Sequence, residues 1–505
     1  MENLIELFNT KPKGKSAEDR ICLKIIRRGR QEKISFGQLK NNARGFACWL
    51  MQKKKILAGD KIAILGKNRV NWDVAFWGSI LAGAVPVLID PERKTEDVKN
   101  HLIHTESRIL IVADDYLDNS PDIPGLDIVE MTSYERIETA KIYECIRLNE
   151  YKIKPEDTAV ILCTSGTTDN PKEVELSHQN LIANIQGSID LVKINQKDKL
   201  LHILPAHHSF GLTVGKLLPF WVGATNIYTD KYQEIARLIK DEKASIFMAV
   251  PALFKIMAKK LQGLSSIKKT WLRRIKWKKL RFCVSGSAPM PMLVLKTFWE
   301  SGIELREGYG TTENSPVYGF NVDRNKLGSV GKPIPTLSVK IAGDGEILLA
   351  GPCITKGYYK NPEATKVVIE QDKDGTRWLH TGDLGSLDED GCLYITGRKK
   401  YVIVLPDGKK VNPEKVELLL SQSRYIKDIL VVPLFVGDKQ ETIGALVQPN
   451  PEEITSKKII WQSIQEYQKE LALFERISSI DKLEIVEKFE KTPTGKIKRE
   501  VYLLK

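Results

Sequence analysis

The chain has few of the features that announce a metal, an export route or a membrane. Its seven cysteines stand at 22, 48, 145, 163, 283, 353 and 392, and no two form a CxxC pair. That pattern argues against a zinc ribbon and a disulfide framework, and it fits a reducing cytoplasm. No apolar run reaches the ~20 residues that a membrane helix needs. The longest, Val74 to Ile89, has 16 residues and is interrupted by Gly78, Gly83 and Pro86. A buried helix leading into a strand accounts for it better. The opening Met-Glu-Asn-Leu-Ile-Glu lacks the basic and apolar regions of a signal peptide. There is no internal repeat, no low-complexity tract, no nucleic-acid reading motif and no recognisable catalytic triad.

What is present is a large globular chain. At 505 residues it exceeds the size at which one core keeps growing, so two or more domains are expected. Strand-like apolar runs alternate with helical patterns: Lys61 to Leu65, Ala84 to Ile89, Ile109 to Ala113, Thr158 to Cys163 and Ile246 to Val250. That alternation predicts an α/β domain with largely parallel strands. After Glu313 the texture changes. Ser338 to Ala350 reads as a hairpin around Gly343-Asp344-Gly345, and Leu384 to Ile395 as another around Asp390-Gly391, which suggests a β-rich subdomain. A basic cluster at 397 to 400 precedes a Pro-Asp-Gly turn, and Asn412-Pro413-Glu414 then reads as N-cap, first position and acidic first turn of a helix. A domain boundary is placed there.

The most informative stretch follows the run Ala159 to Leu162. It reads Thr164-Ser165-Gly166-Thr167-Thr168-Asp169-Asn170-Pro171-Lys172, a loop with four hydroxyls, one glycine and one lysine. Hydroxyls, close-approaching backbone N–H groups and a cation suit a polyphosphate. It is not a Walker A loop. Four more motifs come after it in order: Gly308-Tyr309-Gly310-Thr311-Thr312-Glu313, His380-Thr381-Gly382-Asp383, Gly397-Arg398-Lys399-Lys400 and Thr492-Pro493-Thr494-Gly495-Lys496-Ile497-Lys498-Arg499. In isolation the first two of these would pass as ordinary turns with polar residues; as an ordered set the motifs are far more specific.

Together the five resemble the signatures of the adenylate-forming (acyl-activating) enzymes, in the branch of fatty acyl-CoA and acyl-acyl carrier protein synthetases. The resemblance covers nearly the whole chain and includes the Gly-Glu-Ile…Gly-Pro…Gly-Tyr pattern at 345 to 358. It implies an α/β multidomain fold. Residues 1–397 would form the AMP-binding domain, with a β-rich subdomain at about 314–397, and 398–505 a small mobile α/β lid. It implies ATP, Mg²⁺ and CoA as cofactors, with acyl carrier protein as the alternative acceptor. By position, Thr164, Ser165, Gly166, Thr167, Thr168 and Lys172 resemble the phosphate cradle, and Glu313 with Thr168 the magnesium contacts. Tyr309 resembles the aromatic stacked on adenine, beside Gly310, Thr311 and Thr312, with Ser287, Ala288 and Pro289 on the other side. Asp383 and Arg398 resemble the ribose contacts, Lys496 the lysine brought to the α-phosphate, Lys400 the hinge, and Gly408 the thiol-acceptor side. The catalytic set implied is Lys496, Glu313, Thr168 and Lys400.

Two acids depart from the pattern. Asp169 and Glu173 stand where glycine is usual. A carboxylate near a triphosphate would cost about 1–3 kcal/mol. They motivate a competing reading, a non-catalytic nucleotide- or fatty-acid-binding protein. Replacing both by glycine is expected to leave turnover similar or raise it.

The segment His207-His208-Ser209-Phe210-Gly211-Leu212 resembles the acyl pocket of the synthetase branch, with His208, Phe210, Gly211 and Gly308 as its lining. Apolar side chains between glycines suit an alkyl tail, at roughly 0.8 kcal/mol per buried CH₂. A medium or long fatty acid is the expected substrate. The histidine pair shows no third ligand at metal spacing, so zinc is not expected there. Net charge is +13, and eight of the 14 residues from Lys268 to Arg281 are basic. The plain reading is a solvated helix face. The sharper one is a docking patch for an acidic partner or a peripheral contact at the inner membrane face; no nucleic-acid partner is expected.

Overall fold

The computed structural model describes residues 1–10, 17–27, 30–132, 152–163, 172–436, 439–453, 456–491 and 497–503. Loop residues Thr164 to Thr168, Asp169 and Lys496 lie outside them.

The apolar runs become buried parallel strands. One sheet of eight runs, in spatial order, Gly319–Phe320, Glu304–Tyr309, Phe282–Ser285, Ile246–Ala249, Lys199–His202, Thr225–Thr229, Ile21–Arg27 and Arg30–Ser35. The six from Glu304–Tyr309 to Ile21–Arg27 are parallel, with an antiparallel strand at each edge. A second sheet of seven runs Gly357–Tyr358, Glu173–Ser177, Thr158–Cys163, Val85–Ile89, Lys61–Leu65, Ser107–Val112 and Asp127–Glu130. Its last five are parallel, and the first two antiparallel. Strands covered on both faces read as continuous hydrophobic runs, which is why they were legible. The run from Val74 to Ile89 divides into the helix Val70–Leu81 and the strand Val85–Ile89, both buried. No helix among the described residues is long and apolar enough to cross a membrane.

Both predicted hairpins form. Ser338–Ile341 pairs antiparallel with Glu346–Ala350, and Arg377–Leu387 with Leu393–Arg398, inside one five-stranded sheet. The strand Gly319–Phe320 pairs instead with Gly308 and Tyr309, so the start of the 314–397 stretch extends the first large sheet.

Past Lys400 a separate core gathers Ile403, Val411, Val416, Leu420, Ile443 and Ile464. The helix Pro413–Leu420 carries Pro at its start as predicted, but Asn412 makes no side-chain cap. Its amide donates to Thr396 O, back across the junction. A Cβ on Gly397, whose φ is +152°, would lie 2.1 Å from Asn412 Oδ1, so only glycine admits this approach. The tail is tied down by Arg499. Its guanidinium donates to Glu417 and to Val431 O and stacks over the Tyr401 ring at 4.8 Å.

Candidate active site

In open parallel sheets, ligands bind outside the carboxyl ends of the strands. Here the carboxyl end of Glu304–Tyr309 carries one motif, and the other two large sheets bring Asp383, Arg398 and Lys172 to it. The adjacent strands Phe282–Ser285 and Glu304–Tyr309 are in register at Ser285 and Glu307, so Ser287-Ala288-Pro289 and Tyr309 emerge at the same edge. Met290 N–H donates to Glu307 Oε1 at 2.8 Å and ties the two segments. Burial pushes the Glu307 carboxyl up to about 8.

Gly310 turns the chain at φ +156°. A Cβ there would meet Pro316 O at 1.6 Å, and one on Gly308 would meet the Phe320 ring at 2.6 Å. The glycines are therefore required by close approach. The Tyr309 hydroxyl donates to Asp383 Oδ2 at 2.7 Å, and Arg398 Nε sits 2.8 Å from Asp383 Oδ1. Asp383 and Arg398 are cross-strand partners, which fixes their pairing. Three motifs far apart in sequence thus share one buried carboxylate. Burial first, and the Asp383 charge second, hold the Tyr309 phenol well above its usual range, so it stays a donor.

A second group forms around Tyr358. The strand Gly357–Tyr358 pairs with the start of Glu173–Ser177 and so stands beside Lys172. Lys172 Nζ lies over the Tyr358 ring, 4.6 Å from its centroid, and the Tyr358 hydroxyl donates to Glu313 Oε1 at 2.9 Å. Tyr358 therefore joins Lys172, the lysine expected in the phosphate cradle, to Glu313, the carboxylate expected at magnesium. The only hint in the sequence was the Gly-Tyr pair. Thr311 and Asn314 close the turn that carries Thr312 and Glu313, through Thr311 N–H to Asn314 Oδ1 at 2.6 Å. Glu313 offers a hard, partly exposed carboxylate that accepts a hydrogen bond from the Tyr358 hydroxyl. That donor set fits Mg²⁺ held mostly by phosphate and water.

The predicted acyl segment meets this edge. Ser209 Oγ is 3.2 Å from Thr312 Oγ1, and Phe210 packs its ring against Gly286. Gly211 sits so close to Pro205 O that a Cβ would lie 1.9 Å away. His208 precedes the short helix Ser209–Leu212, which continues into a π-helical turn at Thr213–Leu217. Such turns are frequent at functional sites. Two features here were missed. Lys216 and Asp73 form a buried ion pair, invisible in sequence because 143 residues separate them. The expectation that the histidine pair lacks a third ligand is also corrected: Asp90, Oδ1 3.5 Å from His207 Nε2, gives a group of three whose ligand atoms lie within 4.8 Å of one another. Asp90 ends the run Val85–Ile89, an acid closing a buried strand.

Glu173 also departs from expectation. It is buried, with Oε1 2.6 Å from His101 Nδ1 and Oε2 3.1 Å from His104 Nδ1. Its two oxygens each face a histidine of the helix Thr95–His104. In the basic stretch, Arg273 donates to Gly302 O and Trp277 O, and Arg281 binds both oxygens of Asp198. Lys268, Lys278 and Lys279 remain exposed. Lys400 lies 3.4 Å from Glu500, and Gly408 makes a tight turn at φ +81°.

Comparison with known proteins gives the family. The sequence model of the AMP-binding enzyme family matches residues 11–359, and that of the AMP-binding enzyme C-terminal domain matches 400–504. A long-chain-fatty-acid–CoA ligase of Bacillus subtilis is 28% identical over 469 residues, covering 82% of this chain and 81% of that protein. One from Escherichia coli is 25% identical over 481 residues, covering 85% and 83%. Among solved structures, the anthranilate CoA ligase AuaEII with anthranoyl-AMP superposes with a TM-score of 0.82 at 22% identity, covering 99% of this chain and 96% of that one. ATP-bound MatB from Rhodopseudomonas palustris gives 0.82 at 22%, covering 98% and 97%. These last two likenesses concern the fold. With one family model matched over residues 11–359 and the other over 400–504, the chain belongs to the AMP-binding, adenylate-forming enzyme family.

Proposed function

We propose that the protein is an ATP-dependent, AMP-forming ligase that activates a medium- or long-chain fatty acid and passes the acyl group to the thiol of CoA. The observation that carries this reading is that the turn Gly308 to Glu313 joins two groups drawn from three sheets, Tyr309 with Asp383 and Arg398, and Glu313 with Tyr358 and Lys172, beside the segment from His207 to Leu212. Relatives named long-chain-fatty-acid–CoA ligases support the acid and the acceptor.

In the first step a carboxylate oxygen attacks the α-phosphorus of ATP. An O–P bond forms, the bond to the β-phosphate breaks, and pyrophosphate leaves with its electron pair. Two anions approach, so charge neutralisation and positioning do the catalytic work. No general base is required, because the acid is ionised near neutral pH. Tyr309 supplies an aromatic face for adenine. Asp383, with two acceptor oxygens, can take both ribose hydroxyls once Tyr309 and Arg398 yield them. Lys172 and Lys496 supply positive charge. Mg²⁺, when bound near Glu313, would neutralise phosphate charge. In the second step the thiol sulfur attacks the acyl carbon, the bond to AMP breaks, and the thiol proton goes to solvent. A turn of the small domain about Lys400 would exchange Lys496 for the Gly408 side between the steps.

Acyl carrier protein is the alternative acceptor, favoured by the exposed Lys268, Lys278 and Lys279. The non-catalytic reading loses one of its two motives, since Glu173 is paired with His101 and His104. The test is purified protein with ATP, Mg²⁺ and a fatty acid series, with CoA and acyl carrier protein supplied separately. A thioester with CoA and stoichiometric AMP is expected. Absence of both acyl-AMP and AMP release would exclude ligase chemistry.

A further inference from the structure

On the two strands that flank residues 164–171 in sequence lies a cluster that the proposed ligase reaction does not use. Cys163 is the last residue of the strand Thr158–Cys163, and Glu173 the first of Glu173–Ser177. The two are directly paired across the antiparallel ladder, so their side chains lie on the same face of the sheet. The helix Thr95–His104 packs on that face through Val98 and Leu102, in one cluster with Cys163. It presents His101 and His104, one turn apart. His101 Nδ1 is 2.6 Å from Glu173 Oε1, and His104 Nδ1 is 3.1 Å from Oε2. A nitrogen of His101, the Cys163 sulfur and a Glu173 oxygen all lie within 4.8 Å of one another. His101, Cys163 and Glu173 are buried, whereas His104 is 42% exposed at the rim. The second ring nitrogen of His101, Nε2, is buried without a hydrogen-bond partner.

We propose that His101, Cys163 and Glu173, with His104 at the rim, bind one zinc-class divalent cation. Imidazole, thiolate and carboxylate together form a borderline-soft set that suits zinc and that Mg²⁺ and Ca²⁺ do not favour. Metal–ligand bonds of about 2.0–2.3 Å place tetrahedral donors a little over 3 Å apart, within small side-chain movements of the separations here. The cluster carries all its donors on rigid elements, two on one helix and two on one strand pair. Binding breaks the Cys163 S–H bond, forms the S–metal bond and releases the proton to solvent. Burial and the nearby Glu173 charge hold the thiol up in its neutral form, so that deprotonation is a cost the metal–sulfur bond must offset. Occupancy would clamp both ends of the phosphate loop onto the helix Thr95–His104.

The whole protein, stripped with chelator and free of ATP and Mg²⁺, is dialysed against micromolar Zn²⁺, and bound metal is measured by mass spectrometry. Co²⁺ is used in parallel as a spectroscopic probe. About one Zn²⁺ per chain is expected, together with a thiolate-to-cobalt charge-transfer band and a higher melting temperature with Zn²⁺. Cys163→Ser should abolish the band. Glu173→Gln and His101→Gln should each weaken Zn²⁺ binding by more than the roughly 10–100-fold attributed to outer-shell partners. Asp90→Asn, at the other histidine group, should leave Zn²⁺ retention unchanged. Wild-type protein that retains no Zn²⁺ and shows no charge-transfer band overturns the proposal without recourse to any variant. Retention lost in Asp90→Asn and kept in Glu173→Gln overturns it in favour of the other group.

Discussion

The Tyr309 hydroxyl donates to Asp383 Oδ2 at 2.7 Å, while the other oxygen of that carboxylate faces Arg398. One acid thereby links the adenine-side and ribose-side motifs. Asp383→Asn keeps the shape and removes the charge. Hydrogen bonds to a charged group contribute about 1.5–3 kcal/mol, so KM for ATP should rise roughly 10- to 100-fold. The KM for the fatty acid should stay near wild type. ATP-dependent pyrophosphate exchange reads this directly; an unchanged ATP KM would remove Asp383 from the nucleotide site.

Lys496→Ala should abolish acyl-AMP formation and spare thioester formation from supplied acyl-AMP. The two half-reactions are measured separately, by pyrophosphate exchange and by thioester release. Normal exchange in this variant would sink the assignment of Lys496 to the α-phosphate.

The glycine replacements at Asp169 and Glu173 now divide. Asp169→Gly alone keeps the expectation of similar or higher turnover. Glu173→Gly strips the acceptor from buried His101 and half-exposed His104. Leaving a buried donor unsatisfied costs about 1–3 kcal/mol. Urea unfolding should show that loss in Glu173→Gly and not in Asp169→Gly. Equal stability of the two variants would mean the histidine contacts contribute nothing.

Glu307 gives a pH dependence with a definite sign. Burial raises its carboxyl from 4.5 to about 8. The native state therefore holds a proton that the unfolded chain releases. Its contribution to stability is full below about 4.5 and declines as pH rises toward 8, at about 1.4 kcal/mol per pH unit. Glu307→Gln has no such slope, so the variant should gain on the wild type between pH 5 and 7.5. Parallel stability curves for the two proteins over that range would refute it.

The fold was legible where burial on both faces left continuous apolar runs, as at Lys61–Leu65 and Thr158–Cys163. The hairpins were legible from their Asp-Gly turns. What escaped were relations between distant segments. Nothing local marks Asp73 as the partner of Lys216, or His101 as the partner of Glu173. A charge near a phosphate loop looks like a penalty in sequence; in three dimensions it depends on which face of the strand it occupies. Asn412 was misjudged for a related reason. A cap residue was expected from its neighbours, yet its side chain found an acceptor in Thr396.

That amide bond has a mechanical meaning. Thr396 and Asn412 lie on opposite sides of Lys400, about which the small domain is proposed to turn. Swinging the domain would exchange the Asn412 bond for water. A net hydrogen bond contributes about 0.5–1.5 kcal/mol, enough to bias two orientations roughly two- to tenfold. The pair would act as a detent, giving the domain a preferred rest position that substrates can still override.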